Sequence, residues 1–127
     1  MDIIELREFI LSLPGVEETE PFKDDDVAVY RIGGKWFATY IFARPEYIAV
    51  KCDPDRAIDV RDRYECITPA WHFNKRHWND IRFSELPDEI LKREICHSYI
   101  TVIKKNVTPK SLRENLLHQA TETGITD

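Results

Sequence analysis

The stretch Val27-Ala28-Val29-Tyr30-Arg31-Ile32-Gly33-Gly34-Lys35-Trp36-Phe37-Ala38-Thr39-Tyr40-Ile41-Phe42 decides the architecture. β-Branched and aromatic residues fill both sides of Gly33-Gly34, and two adjacent glycines can take the positive φ that a tight hairpin turn requires. The stretch therefore predicts two antiparallel strands. Downstream, Tyr47-Ile48-Ala49-Val50-Lys51-Cys52 predicts a third strand between Pro45 and Pro54. Asp53-Pro54 then starts a helix, with Asp as cap and Pro in the first position, running to about Tyr64. Upstream, Asp2 and Glu5 have the spacing of a capping box. Ile3, Leu6, Ile10 and Leu13 follow at helical intervals, so residues 2–13 form an amphipathic helix stopped by Pro14-Gly15. Glu17, Glu18, Glu20 and Asp24-Asp25-Asp26 then read as an acidic loop.

Further along, Trp71-His72-Phe73 and the run from His77 to Phe83 read as a second hairpin around Asn74-Lys75-Arg76. Pro87-Asp88-Glu89 opens a third helix that closes at Lys104-Lys105, acids first and bases last, as the helix dipole favours. Thr108-Pro109 starts a final short helix through Leu112, Leu116 and Leu117. Residues 121–127 have no core pattern and are expected to fray. The elements run α-β-β-β-α-β-β-α-α. They imply one α+β domain over residues 1–120, a two-layer sandwich with helices packed on a mainly antiparallel, five-stranded sheet.

The 127 residues suit one core. No apolar run approaches the ~20 residues of a membrane span. The start, Met1-Asp2-Ile3-Ile4-Glu5, is not a basic signal sequence. Three widely spaced cysteines, Cys52, Cys66 and Cys96, suit reduced thiols and a cytoplasmic location. The net charge of −5 disfavours binding of nucleic acid through bulk charge. Charge is uneven, however. Residues 92–113 carry Lys92, Arg93, Lys104, Lys105, Lys110 and Arg113 against Glu94 alone, which reads either as a solvated helix surface or as a ligand face.

Leu13-Pro14-Gly15, Gly34-Lys35-Trp36-Phe37-Ala38, Val50-Lys51, His72-Phe73-Asn74-Lys75-Arg76-His77-Trp78 and Ser98-Tyr99 occur in an order that resembles the MmcQ/YjbR family. The Asn-Lys-x-His-Trp run is the most specific element, and the resemblance spans about residues 5–105. It implies an α-β(3)-α-β(2)-α fold grouped with secretion-chaperone-like structures, and DNA binding through two projecting hairpin wings.

Alternation along the second hairpin directs Ile81 and Phe83 to the core and Trp78, Asp80 and Arg82 to the opposite face, with Arg76 beside them. An uncovered Trp78 between arginines would be a stacking platform with cations for phosphate. A bulge or a covering element would instead make Trp78 core. Lys75 at the tip could reach a phosphate, and Asn74 could shape the turn or bond a base edge. The candidate nucleic-acid contacts are thus Asn74, Lys75, Arg76, His77, Trp78, Arg82, Lys35 and Lys51, the last two reading more readily as ordinary exposed strand or turn lysines.

Catalysis and metal binding find little support. His72, His77, His97 and His118 with the three cysteines form no C-x-x-C or H-E-x-x-H pattern, so neither a metal nor a cofactor is expected. Ser98 sits inside a helix without an adjacent base, and Gly33-Gly34 joins strands rather than opening a helix around a phosphate. Asp24-Asp25-Asp26 lacks the alternating ligands of a calcium loop. Two partner classes remain: nucleic acid, held at the hairpins and basic helices, and another protein, held at strand edges or an apolar sheet face. Oligomeric state is not encoded in these patterns.

Overall fold

A computed structural model describes residues 1–20 and 26–127. Asp24 and Asp25 of the acidic run lie outside the described residues. Helix α1 (Ile3–Ser12) begins with the complete capping box: Asp2 accepts from the Glu5 amide while Glu5 accepts from the Asp2 amide. Six strands follow in an antiparallel sheet: β1 (Glu17–Thr19), β2 (Val27–Ile32), β3 (Lys35–Ile41), β4 (Tyr47–Lys51), β5 (Ile67–Pro69) and β6 (Trp78–Arg82). Their spatial order is β1-β2-β3-β4-β6-β5. Helix α2 (Pro54–Arg63) connects β4 to β5, and α3 (Asp88–Asn106) and α4 (Lys110–Glu122) close the chain. Helix α3 packs across β2, β3 and β4, with α4 against α3. The α+β reading holds, with one more strand than the expected five.

Two differences from the sequence reading matter. Glu17–Thr19, read as loop, pairs with β2 as an edge strand. The second hairpin is also built differently. The partner of β6 is Ile67–Pro69, not Trp71–Phe73, and residues 70–77 form one long connection. Within 71–73 it is Phe73 that packs back onto the sheet, stacking on Trp78 with ring centroids 4.7 Å apart, while Trp71 and His72 are exposed.

The main core lies between the sheet and the helices, around Leu6, Ile10, Tyr30, Phe37, Ile48, Ile81, Leu91, Ile95, Tyr99 and Ile103. A register shift between Tyr30 and Arg31 leaves Phe37 as the extra residue of β3, a bulge. The bulge turns Phe37 into the helix-side core beside Ala38 and sends Trp36 to the opposite face. Ser98, inside α3, donates to the Phe37 carbonyl at 2.6 Å, so it joins helix to sheet instead of bonding back along its own helix. Residues 121–127, read without a core pattern, continue the fold. Helix α4 reaches Glu122, and Gly124, at φ +76, closes a Schellman cap with Ile125 donating to the Ala120 carbonyl. Ile125 then packs on the core.

Candidate functional site

Pairing across the sheet sets which side chains share the face away from α3. Val29, Thr39, Ala49, Asp80 and Thr68 form one row across it. Trp78 belongs to this face, as its alternation with Asp80 requires. It does not lie open. Trp78 is 8% exposed and sits in a second, smaller cluster with Ala49 and Ala70, bordered by Trp36 and Phe73. The expectation of an uncovered indole is corrected: the 70–77 connection folds over it. Arg61 of α2 anchors that connection, donating to the Lys75 and Trp78 carbonyls and to Asn79 Oδ1.

The exposed indole on this face is Trp71, 68% accessible. Asp80, almost fully buried, holds its surroundings in place. One carboxylate oxygen, Oδ2, accepts from Arg44 Nη1 at 2.6 Å and from the Trp71 amide at 3.0 Å. Arg44 in turn lies over two rings, its guanidinium carbon 5.5 Å from the Trp71 centroid and 4.4 Å from that of Tyr47. Arg82, the register partner of Tyr47, stands 5.3 Å from the same Tyr47 ring. Trp71, Arg44, Tyr47 and Arg82 thus alternate π surface and cation on the side of the sheet away from α3. Further along the sheet, Arg31 lies 5.5 Å from the Trp36 ring. The sequence reading identified only Arg82 of the four. Arg44 and Tyr47 gave no local signal, because Asp80, Trp71 and Arg82, which complete the arrangement, are distant in sequence.

The other sequence-derived residues divide. Asn74 shapes its turn, its Oδ1 accepting from the Arg76 amide at 2.9 Å. Lys75 does not project: its ammonium group donates to the Ala70 carbonyl and closes the loop. Arg76 is exposed. Lys51, Asn74, His77 and Trp78 meet at a cleft of about 390 Å³ beside the C-terminal end of α3. Lys51 donates to Asn106 Oδ1 at 3.2 Å, and burial, then the charges of Lys105 and Lys35, hold its pKa below the usual lysine value. The Gly33-Gly34 turn is not a free wing tip, since Gly33 abuts Val107.

The buried titratable groups serve the scaffold. Arg56 binds Glu94 at 2.7 Å, and His97 accepts from the Asp53 amide at the start of α2 at 3.2 Å. Cys52 is buried, and its thiol is pushed up to about 12 by burial, so it is not a poised nucleophile. Among the described residues no three His, Cys, Asp or Glu side chains are grouped to hold a metal, and no helix is long and apolar enough to cross a membrane.

Residues 11–101 match the model of the YjbR family. The chain belongs to the YjbR family. It is 33% identical over 92 residues to the uncharacterized protein YbdF of Escherichia coli O157:H7, covering 72% of this chain and 75% of YbdF. The crystal structure of Deinococcus radiodurans protein DR2400, a DUF419 domain, superposes with a TM-score of 0.80 at 31% identity, over 91% of this chain and 87% of that one. A Pseudomonas syringae protein shares the fold, with a TM-score of 0.68 at 21% identity over 77% of this chain and 96% of its own. The YjbR match includes Trp71, Arg44, Tyr47 and Arg82 as well as the Asn74–Trp78 run.

Proposed function

We propose that this YjbR protein binds single-stranded nucleic acid on the sheet face away from α3, with bases stacked on Trp71 and phosphates met by Arg82 and Arg76. The observation that carries the reading is the exposed Trp71 indole, held beside Arg44 by the buried Asp80. Burying a carboxylate to orient an exposed aromatic ring is costly unless the carboxylate is fully bonded. Arg44 and the Trp71 amide both bond Asp80 Oδ2 and offset part of that cost, and the carboxylate so pre-organises a π surface that contributes little to the core. Base stacking on such a ring is sequence-tolerant and is worth roughly 1–3 kcal/mol per base. Arg82, with a side chain 41% accessible and only a 3.8 Å approach to Glu85, keeps most of its charge available for phosphate.

A protein partner added at a sheet edge finds less support. The outer strands β1 and β5 are three residues each, one carrying Glu17 and Glu18 and the other ending in Pro69, features that discourage strand addition.

Fluorescence anisotropy with labelled single-stranded and duplex oligonucleotides, at low and moderate salt, tests the proposal. Single strands are expected to bind more tightly, with affinity falling steeply as salt rises. Trp71→Ala should weaken binding by about tenfold or more, the lower part of the stacking range, and leave the melting temperature nearly unchanged. Arg82→Ala should lower the salt slope by about 0.7, the share of a single phosphate on a single strand. Equal binding by Trp71→Ala and the parent, or binding indifferent to salt, would sink the proposal and favour a protein partner.

A further inference from the structure

The cleft at the end of α3 has a chemistry distinct from that of the sheet face away from α3. Lys51 leaves the end of β4, crosses the strand ends and reaches Asn106, the last residue of α3. Among the described residues Lys51 has no carboxylate within ion-pair distance, whereas Lys105, the other lysine on the cleft wall, is paired with Asp53 at 2.8 Å. The Asn106 amide oxygen is already used by Lys51, which leaves its amide nitrogen as a donor. Asn74, whose Oδ1 is likewise engaged by the Arg76 amide, offers its own amide nitrogen at the cleft wall, and His77 lines the same wall. Donors and cations therefore converge while their acceptors are spent inside the protein.

We propose that this cleft is a binding site for a dianionic phosphate group. The Lys51 ammonium group on the cleft wall attracts the anion, the charge of Lys35 adds to it from outside the lining, and the amide nitrogens of Asn74 and Asn106 supply directed hydrogen bonds. Such charge-assisted bonds are shorter and stronger than neutral ones. The half-buried position of Lys51 screens it from bulk water and strengthens its attraction for an anion. A volume of about 390 Å³ falls within the range of small-molecule sites and exceeds what one phosphate fills. The site thus suits a phosphate carried on a larger group, either a free phosphorylated small molecule or the terminal phosphate of a nucleic-acid strand.

The test titrates the whole chain with inorganic phosphate, and with acetate and chloride at matched ionic strength, following thermal unfolding and backbone amide signals. Phosphate is expected to raise the melting temperature saturably and to shift the amides of Asn74, His77 and Asn106, with acetate and chloride far weaker. Lys51→Met should weaken the phosphate effect at least tenfold, and Lys105→Met, on the same cleft wall, should weaken it less; the second variant decides if the first fails to fold. Trp71→Ala should leave phosphate binding unchanged, which separates this site from the nucleic-acid face. Tighter binding of a nucleoside monophosphate, with 5′-phosphorylated and 5′-hydroxyl strands alike, would support the small-molecule source. Preference for the 5′-phosphorylated strand would support the strand end. If phosphate acts no differently from chloride, or if Lys51→Met loses stability yet responds to phosphate like the parent, the lysines merely neutralise the C-terminal carbonyls of α3 and the proposal is overturned.

Discussion

At the scale of single residues, Trp78 loses the open position that alternation along the chain suggests for it, and Trp71 carries the exposed indole. Trp78 lies on the face that the period-2 pattern selects, yet Phe73 and Ala70 cover it, so its indole serves packing. Trp78→Ala should therefore lose roughly 3–5 kcal/mol of stability, the usual range for emptying a buried aromatic site. Urea denaturation of the variant checks this, and a loss below about 1 kcal/mol would mean that the indole is not packed as described. Trp71→Ala provides the contrast, since an exposed side chain leaves little cavity behind. Asp80 explains why the ring is held at all, because its one oxygen ties together a loop amide and a guanidinium from two separate connections.

At the scale of elements, the β2–β3 hairpin is anchored by its tip. Gly33 (φ +56) and Gly34 (φ +77) both need a left-handed backbone, but only Gly33 is crowded: a Cβ there would come 2.9 Å from both methyl carbons of Val107. Gly34→Ala should lose about 1–2 kcal/mol, the ordinary penalty for an L-residue in that region. Gly33→Ala should lose clearly more, because strain and overlap add. Combined with Val107→Ala, part of the Gly33→Ala loss should return as a favourable coupling in a double-mutant cycle, measured by denaturant unfolding. Equal losses for the two glycine variants would show that the tip is free, as a projecting wing would need.

At the scale of the whole molecule, the link between α2, α3 and the sheet end makes stability depend on pH. His97, buried in α3, accepts the Asp53 amide as a neutral ring. Burial first, and then the nearby Arg56 charge, hold its pKa below the ordinary 6.5. The unfolded chain therefore takes up this proton at a higher pH than the folded chain does. Stability rises with pH wherever the unfolded state binds more protons, so the His97 contribution is complete above about pH 6.5 and declines as pH falls below it. Glu18 beside Arg7 and Asp53 beside Lys105 are held below their ordinary values, so their contributions are lost only in a more acidic window. The melting temperature should fall between about pH 7 and about pH 5, and His97→Gln should flatten that slope while keeping an acceptor for the Asp53 amide. An unchanged slope in the variant would assign the effect elsewhere.

Local chemistry alone determined the parts of this protein that rest on neighbours in sequence. The capping box of α1, the Asp53-Pro54 start of α2, the Gly33-Gly34 hairpin and the antiparallel α+β arrangement all follow from interactions a few residues apart or from a sustained period. The order of its motifs likewise marks the YjbR family without any coordinates. Tertiary structure decided the rest. Strands β1 and β5 are three residues each, too short to show a period, and exist because β2 and β6 offer unpaired backbone groups. The covering of Trp78, the bulge at Phe37 and the alternation of Trp71, Arg44, Tyr47 and Arg82 depend on residues far apart in the chain. The cleft shared by Lys51, Asn74, His77 and Asn106 does too, because which side chains meet across a sheet is set by register and long-range packing, which no single window of sequence contains.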